Sequence, residues 1–188
     1  MTRQDALRLI IQEFPREPIV VTLGQTVREL VALGRSDNHL YVLDSMGLPP
    51  AIGLGLSLAP AARKFAKTVV IEGDGSLLMG LSTLATVGLL KPERYLLVVL
   101  DNGTYASTGG QPTAAPVVDF CRIAEACGMA ARDAHDEAEL REALRWGRAV
   151  RQPALIRAYI DNTNIPAPYF LEDPVGLAER FRRYLEQS

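Results

Sequence analysis

Residues 68–90 read TVVIEGDGSLLMGLSTLATVGLL, and after a short polar break residues 96–102 read LLVVLDN. Thr68–Ile71 and Leu96–Leu100 are apolar runs that barely alternate, the mark of strands buried on both faces. Leu77–Leu90 between them reads as helix. A strand, a crossover helix and a second buried strand make a parallel unit, so this stretch predicts an α/β domain. Gly73-Asp74-Gly75-Ser76 stands where the first strand ends and the helix opens. Glycines there let the backbone approach a ligand, and a helix N-terminus offers free N–H groups to an anion. The ends of parallel strands are also where ligands bind. Asp74 would repel a bare phosphate, which points to a bridging cation. Taken alone, the turn reads equally well as structural.

The alternation extends both ways along the chain. Ile19–Leu23, Tyr41–Leu43 and Ala154–Ile160 are further strand-like runs, and Thr26–Leu33, Pro50–Phe65, Val118–Gly128, Asp136–Val150 and Pro174–Leu185 read as helices. Gly128 suits a helix C-cap, and Asp136–Val150 starts acidic and ends in Arg, as the helix dipole favours. The reading is one α/β domain over residues 1–188, a parallel sheet flanked by helices on both faces. An arm from Asp161 to Asp173 and a last helix close it, and no internal repeat interrupts the pattern.

The chain has 188 residues, 48% hydrophobic and 22% charged, enough for a single substantial core and no reason for long disorder. A net charge of −2 supplies no basic field for nucleic acid. Apolar stretches such as Ile52–Pro60 are too short to span a bilayer. The start reads as an amphipathic helix around Ala6–Ile11, not as a signal peptide, so a cytoplasmic protein is expected. Cys121 and Cys127 lie well round one helix from each other, which suits neither a metal pair nor a disulfide. Buried free thiols are expected. His39 and His135 have no ligand-like neighbours and read as surface or loop histidines.

Asn102 changes the reading of the Gly-Asp-Gly turn. It ends the strand Leu96–Leu100, and the intervening helix brings the two strand ends side by side. One carboxylate oxygen, one amide oxygen, a backbone carbonyl, two phosphate oxygens and a water make an octahedral Mg²⁺ shell. A Gly-Asp-Gly turn, a helix, and then Asn after an apolar strand resembles the diphosphate-binding signature of thiamine-diphosphate enzymes. That resemblance implies thiamine diphosphate and Mg²⁺ as cofactors. Asp74, Asn102 and the Thr104 carbonyl would be metal ligands, and Ser76, with Gly73 and Gly75, would meet the diphosphate. Two upstream segments resemble the same family. Gly24-Gln25-Thr26 matches a Gly-Gln pair set against the diphosphate. In Asp44-Ser45-Met46-Gly47, Met46 matches the bulky residue that wedges under the bent cofactor; it also reads as a core methionine. The Asp44 carbonyl would accept the 4′-amino group, although Gly is usual there in several relatives.

Asp101-Asn102-Gly103-Thr104-Tyr105-Ala106-Ser107-Thr108-Gly109-Gly110-Gln111-Pro112-Thr113 looks most like phosphonopyruvate and sulfopyruvate decarboxylases, with Ala106 replacing a Gly often found there. Ala106 and Ser107 join the expected cofactor contacts. Ser107, Thr108, Gln111 and the N–H groups of Gly109 and Gly110 suit a second anionic group of a 2-oxo acid; a loop that merely closes over the diphosphate reads as well. The match runs from Leu23 to Thr113, and residues after Asp119 resemble the family only in layout. In that family the Glu that activates the pyrimidine belongs to a separate pyrimidine-binding domain. Glu29, Glu72 and Glu93 stand in no matching motif, and Glu72 reads as a strand-end residue. The resemblance therefore implies a β subunit of a 2-oxo acid decarboxylase whose Glu comes from a separate pyrimidine-binding α subunit. Self-association is also expected, through an apolar surface of Met46, Leu48, Leu77, Leu78 and Met79. The alternatives are a β subunit of a 2-oxo acid:ferredoxin oxidoreductase, an acetolactate-synthase-like enzyme, or a non-catalytic cofactor-binding module.

Overall fold

The computed structural model describes residues 1–187. Its strands are β1 (Ile19–Val21), β2 (His39–Tyr41), β3 (Thr68–Gly73), β4 (Tyr95–Asp101), β5 (Thr104–Tyr105), β6 (Gln111–Pro112), β7 (Ala130–Ala134) and β8 (Ala154–Tyr159). The helices are α1 (Arg3–Glu13), α2 (Gln25–Leu33), α3 (Pro49–Leu58), α4 (Asp74–Met79), α5 (Thr83–Leu90), α6 (Phe120–Ala126), α7 (Glu137–Ala149) and α8 (Pro174–Gln187). Six strands form one parallel sheet in the order β2-β1-β3-β4-β8-β7, and β5 and β6 pair as a small antiparallel hairpin. An all-parallel sheet needs cover on both faces, and the strands supply it by alternation. Val69, Ile71, Leu96 and Val98 face α1, α2 and α7, whereas Val70, Leu97 and Val99 face α3, α4, α5 and α6.

The chain leaves β1 in one direction for β2, then crosses back to β3 and onward to β4. The crossover α2 lies on one face and α4 and α5 on the other, as right-handed connections require. The reversal opens a crevice between the carboxyl ends of β1 and β3, where an open α/β sheet receives its ligand. The Gly24 and Gly73 turns flank it.

Several elements differ from the sequence reading for physical reasons. The helix predicted over Pro50–Phe65 stops at Leu58, because Pro60 forces Ala59 into extended backbone and a 3₁₀ turn follows at Pro60–Ala62. Leu77–Leu90 is two helices, parted where Gly80 lies against the backbone of Gly47; a Cβ on Gly80 would come within 2.1 Å of the Gly47 carbonyl oxygen. Strand β2 lies two residues before Tyr41–Leu43. Strand β7 is an edge strand whose Arg132 and Asp133 are exposed, so no apolar run announces it. The 161–173 arm has no helix or strand, yet it is anchored. Arg28 donates to the carbonyls of Ala167 and Pro168, and Gln25 to that of Ile165. Gly88 is a second close approach, with the carbonyl oxygen of Cys127 1.6 Å from where its Cβ would stand. Gly88→Ala must therefore push α5 off α6, and we expect a loss of about 3 kcal/mol, read as a lowered midpoint in urea.

His135 is exposed as expected, stacked on Tyr159. His39 is not a surface histidine. It is buried on β2, with Nδ1 3.2 Å from the Tyr41 hydroxyl, and burial pushes its imidazole down from 6.5 to about 4. The fold holds the neutral ring, while the unfolded chain takes up a proton below its ordinary value. Stability is complete above that value and is lost as pH falls toward the folded one. Over the whole window the loss comes to about 3 kcal/mol. Urea titrations from about pH 8 down to about pH 4 should show it, and His39→Asn should flatten that part of the profile. Cys121 is a buried free thiol pushed up to about 12 by burial and Asp133, and Cys127 is a free thiol only partly buried.

Candidate cofactor site

Strand β1 runs out at Val21, and Thr22 and Leu23 lead into Gly24, which has a φ of 72° and caps α2 with no side-chain bond to its free N–H groups. A Cβ at Gly24 would lie 2.6 Å from Ser107 Oγ, so only glycine lets the 104–108 segment fold down here. Ser107 Oγ accepts the Gln25 N–H at 3.2 Å. Across the crevice Gly73 caps α4, again without a side-chain cap. Ser76, one turn in, accepts the Gly47 N–H at 2.9 Å and ties the Met46 loop to the Gly-Asp-Gly turn. Gly75 packs under the Tyr105 ring, where a Cβ would come within 2.3 Å of a ring carbon.

Asp74 is 2% exposed, and its Oδ2 accepts the Thr113 hydroxyl at 2.5 Å. Burial raises its carboxyl above the usual range; the Thr113 hydroxyl opposes this, Asp101 adds repulsion, and the amides of Asn102 and Gly75 hold it down. Asn102 stands beside it with Oδ1 accepting the Thr104 N–H at 3.1 Å and a buried Nδ2 without a partner. A carboxylate whose charged form burial disfavours, next to an amide group with unspent capacity, fits a divalent cation shared with a polyanion. No cluster of three His, Cys, Asp or Glu capable of holding a metal occurs among the described residues, so a ligand must complete any shell.

One cleft is lined by Gly24, Gln25, Thr26, Met46, Gly73, Asp74, Gly75, Ser76, Asn102, Thr104, Ala106 and Ser107 together. Asp44 is not among the lining residues. Its φ of 50° is left-handed, which accounts for the glycine usual there in relatives. Met46 is 37% exposed at the cleft, so it is not the core methionine of the bland reading. Thr108 and Gln111 satisfy each other, and Gly110 donates to Tyr105, which leaves the Ser107 hydroxyl hydrogen and the Gly109 N–H as the donors of that set still to be used.

Sequence reasoning missed three features. Arg3, on α1, is the single cation lining the cleft; its Nη1 bonds Glu29 Oε1 at 2.8 Å and Asn164 Oδ1 at 3.0 Å. Thr113 buttresses Asp74. Glu72 is fully buried behind the turn, with Oε1 accepting the Gly73 N–H and Oε2 unpartnered; burial pushes it up to about 7 against the pull of Thr22 and Ser76. None of Glu29, Glu72 and Glu93 lines the cleft. The apolar surface is also smaller than expected, since Leu77 is fully buried. Met46, Leu48 and Met79 are the exposed members, and Gly47 packs on the Met79–Gly80 backbone between them.

A parallel α/β domain whose switch-point crevice offers two uncapped helix N-termini, a buried carboxylate and an underused amide belongs to the class of α/β ligand-binding modules. Comparison with known proteins identifies which one. Residues 31–158 match the family described as thiamine pyrophosphate enzyme, C-terminal TPP binding domain, and the chain belongs to it. It is 34% identical to the sulfopyruvate decarboxylase subunit beta of Methanothermobacter thermautotrophicus, over 96% of this chain and 94% of that one. With the phosphonopyruvate decarboxylase of Streptomyces viridochromogenes it shares 38% identity over 98% of its own length but only 46% of that protein's. The benzoylformate decarboxylase of Polynucleobacter necessarius has the same fold, with a TM-score of 0.74 at 18% identity, covering 87% of this chain and 34% of that one. Among the described residues no helix is long and apolar enough to cross a membrane.

Proposed function

We propose that the chain is the thiamine-diphosphate- and Mg²⁺-binding β subunit of a 2-oxo acid decarboxylase of the phosphonopyruvate or sulfopyruvate type. The carrying observation is a cleft lined by every residue expected to meet the diphosphate or the metal, yet by no glutamate. Asp74, Asn102 and the Thr104 carbonyl would hold the metal. Gly24, Gln25, Thr26, Gly73, Gly75 and Ser76 would receive the diphosphate, with Ala106 and Ser107 folded over it. Met46 would support the bent cofactor from below, and the Asp44 carbonyl would meet its pyrimidine edge. When bound, the cofactor supplies the electron sink that lets a 2-oxo acid lose CO₂.

The residues of this chain would bind, orient and exclude water. Ser107 would donate to the second anionic group of a phosphono- or sulfo-substituted 2-oxo acid, and Arg3, paired with Glu29, adds a guanidinium to the cleft wall. The activating Glu would come from a separate pyrimidine-binding α subunit. Met46 lines the cleft, Leu48 and Met79 are exposed on either side of the Gly47–Gly80 contact, and the three would offer the partner an apolar seat that also serves self-association. A cytoplasmic location belongs to the same proposal, and the two free thiols support it.

Metal dependence tests the site. Thermal melts with thiamine diphosphate, with Mg²⁺, with both and with EDTA should show a large shift only for the pair. At one hundred times Kd the stabilisation is about 2.7 kcal/mol. Equal shifts with and without metal would remove the cation from the site.

A further inference from the structure

One residue of β8 reaches the two metal turns from behind. We infer that Arg157 is a positioning residue of the metal site, holding both ligand-bearing turns through two separate hydrogen-bonded arms; the inference rests on the metal-site reading above.

The first arm runs to Asn102. Arg157 Nε donates to Asp101 Oδ2 at 2.7 Å, and Nη2 stands 2.6 Å from the same oxygen. The other oxygen of Asp101 accepts the Gly103 N–H at 3.0 Å. That bond shapes the turn carrying Asn102 and Thr104, with Gly103 at a φ of 67°. The second arm runs to Asp74. Arg157 Nη2 donates to the Ala115 carbonyl at 3.2 Å, and Nη1 reaches the Val118 carbonyl at 3.4 Å. The N–H of Ala115 then donates to Thr113 Oγ1 at 3.3 Å, and the Thr113 hydroxyl gives its one hydrogen to Asp74 Oδ2.

The guanidinium is well suited to this double duty. Its planar fork spans two groups that an ammonium would meet one at a time. Phe120 and Tyr159 contact it at 5.1 and 4.5 Å from their ring centres and fix its plane. A buried ion pair is a poor device for stability alone, since a well-packed apolar pair serves as well. What it supplies here is geometry. The arms join β8 and the 115–118 segment to turns at the ends of β3 and β4, so both donors are set before cofactor arrives.

The test is the Mg²⁺ concentration giving half-maximal thermal shift at saturating thiamine diphosphate, checked by calorimetry on the same full chain. Arg157→Lys retains one charge but not the fork, and Thr113→Val removes the last bond of the second arm while every charged residue stays in place. Each should raise the Mg²⁺ requirement by about 10–100-fold, the range for outer partners of metal ligands, while the metal-free protein still melts cooperatively. A lowered melting point with an unchanged Mg²⁺ requirement overturns the inference and leaves Arg157 merely structural. If Arg157→Lys does not fold, Thr113→Val decides the outcome alone. Asp74→Asn separates the two readings: if it keeps the wild-type Mg²⁺ requirement, the metal-site reading has failed, and this inference falls with it.

Discussion

Asp74→Ala should abolish the cofactor-dependent thermal shift while leaving the cofactor-free protein as stable as the parent, or more so. The two halves of that expectation have one cause. Asp74 is 2% exposed, and burial raises its carboxyl above the ordinary range, so the fold holds the ionised form at a cost. Removing it deletes that cost together with the Thr113 hydrogen bond, and very little packing. Residues kept against stability in this way concentrate at functional sites. With a divalent cation bound, the same carboxylate becomes the charge that anchors it, and without the cation the diphosphate has no counter-charge on that wall. Asn102→Ala should behave alike for the shift, since it removes the amide oxygen and its orphaned nitrogen together. The measurement is a set of paired melts, with cofactor and Mg²⁺ and without. Full cofactor affinity in either variant would dismiss the metal assignment, and a collapsed metal-free fold would make Asp74 structural.

Much of this site was legible because its signals are local. Gly73 to Ser76 and Asn102 sit at the ends of apolar strands, and strand-turn-helix grammar is written within a few residues. Gly24 was legible only as half of the Gly-Gln pair of the resemblance, and the reason it must be glycine, the descent of Ser107, lies 83 positions away. The unread parts are all long-range. Gly80 breaks a helix because Gly47 lies against it, and nothing between residues 77 and 90 records that approach. Arg3 and Arg157 read as ordinary helix and strand arginines; only the fold carries one to the cleft wall and the other behind the turns that hold Asp74 and Asn102. Strand β7 escaped because an edge strand pairs on one side and tolerates Arg132 and Asp133 on its exposed surface. His39 was misread since its burial comes from the sheet around it, with no apolar run at its own position. The arm after Asp161 reads as irregular, yet Gln25 and Arg28 hold its carbonyls, contacts set by the order of strands.

The purified chain alone should show no decarboxylase turnover, even with thiamine diphosphate and Mg²⁺ bound. The cofactor is a two-ended ligand, and this domain provides for one end. The residues proposed to take the diphosphate and cation line one cleft, and no carboxylic acid lines it apart from Asp74, which the proposal assigns to the metal. The three glutamates closest to consideration are otherwise engaged or misplaced. Glu29 is paired with Arg3, Glu72 lies sealed behind the Gly-Asp-Gly turn, and Glu93 is exposed before β4. A positioned acid–base group contributes about 10²–10⁴-fold in rate, and losing the pyrimidine half of the pocket removes orientation as well. Together these put the lone chain at least about a hundredfold below the assembled enzyme. The assay pairs the chain, with and without a pyrimidine-binding subunit, against sulfopyruvate, phosphonopyruvate and benzoylformate, with light scattering to report assembly. Association through Met46, Leu48 and Met79 should appear when the second subunit is added, and turnover should appear with it. A homo-oligomer that forms without the partner should stay silent, because copies of one chain bring no new glutamate to the cleft unless an exposed one crosses the interface. Robust turnover by the lone chain would sink the two-subunit reading. It would leave Glu72, buried directly behind the Gly-Asp-Gly turn and pushed up to about 7, as the group to mutate next.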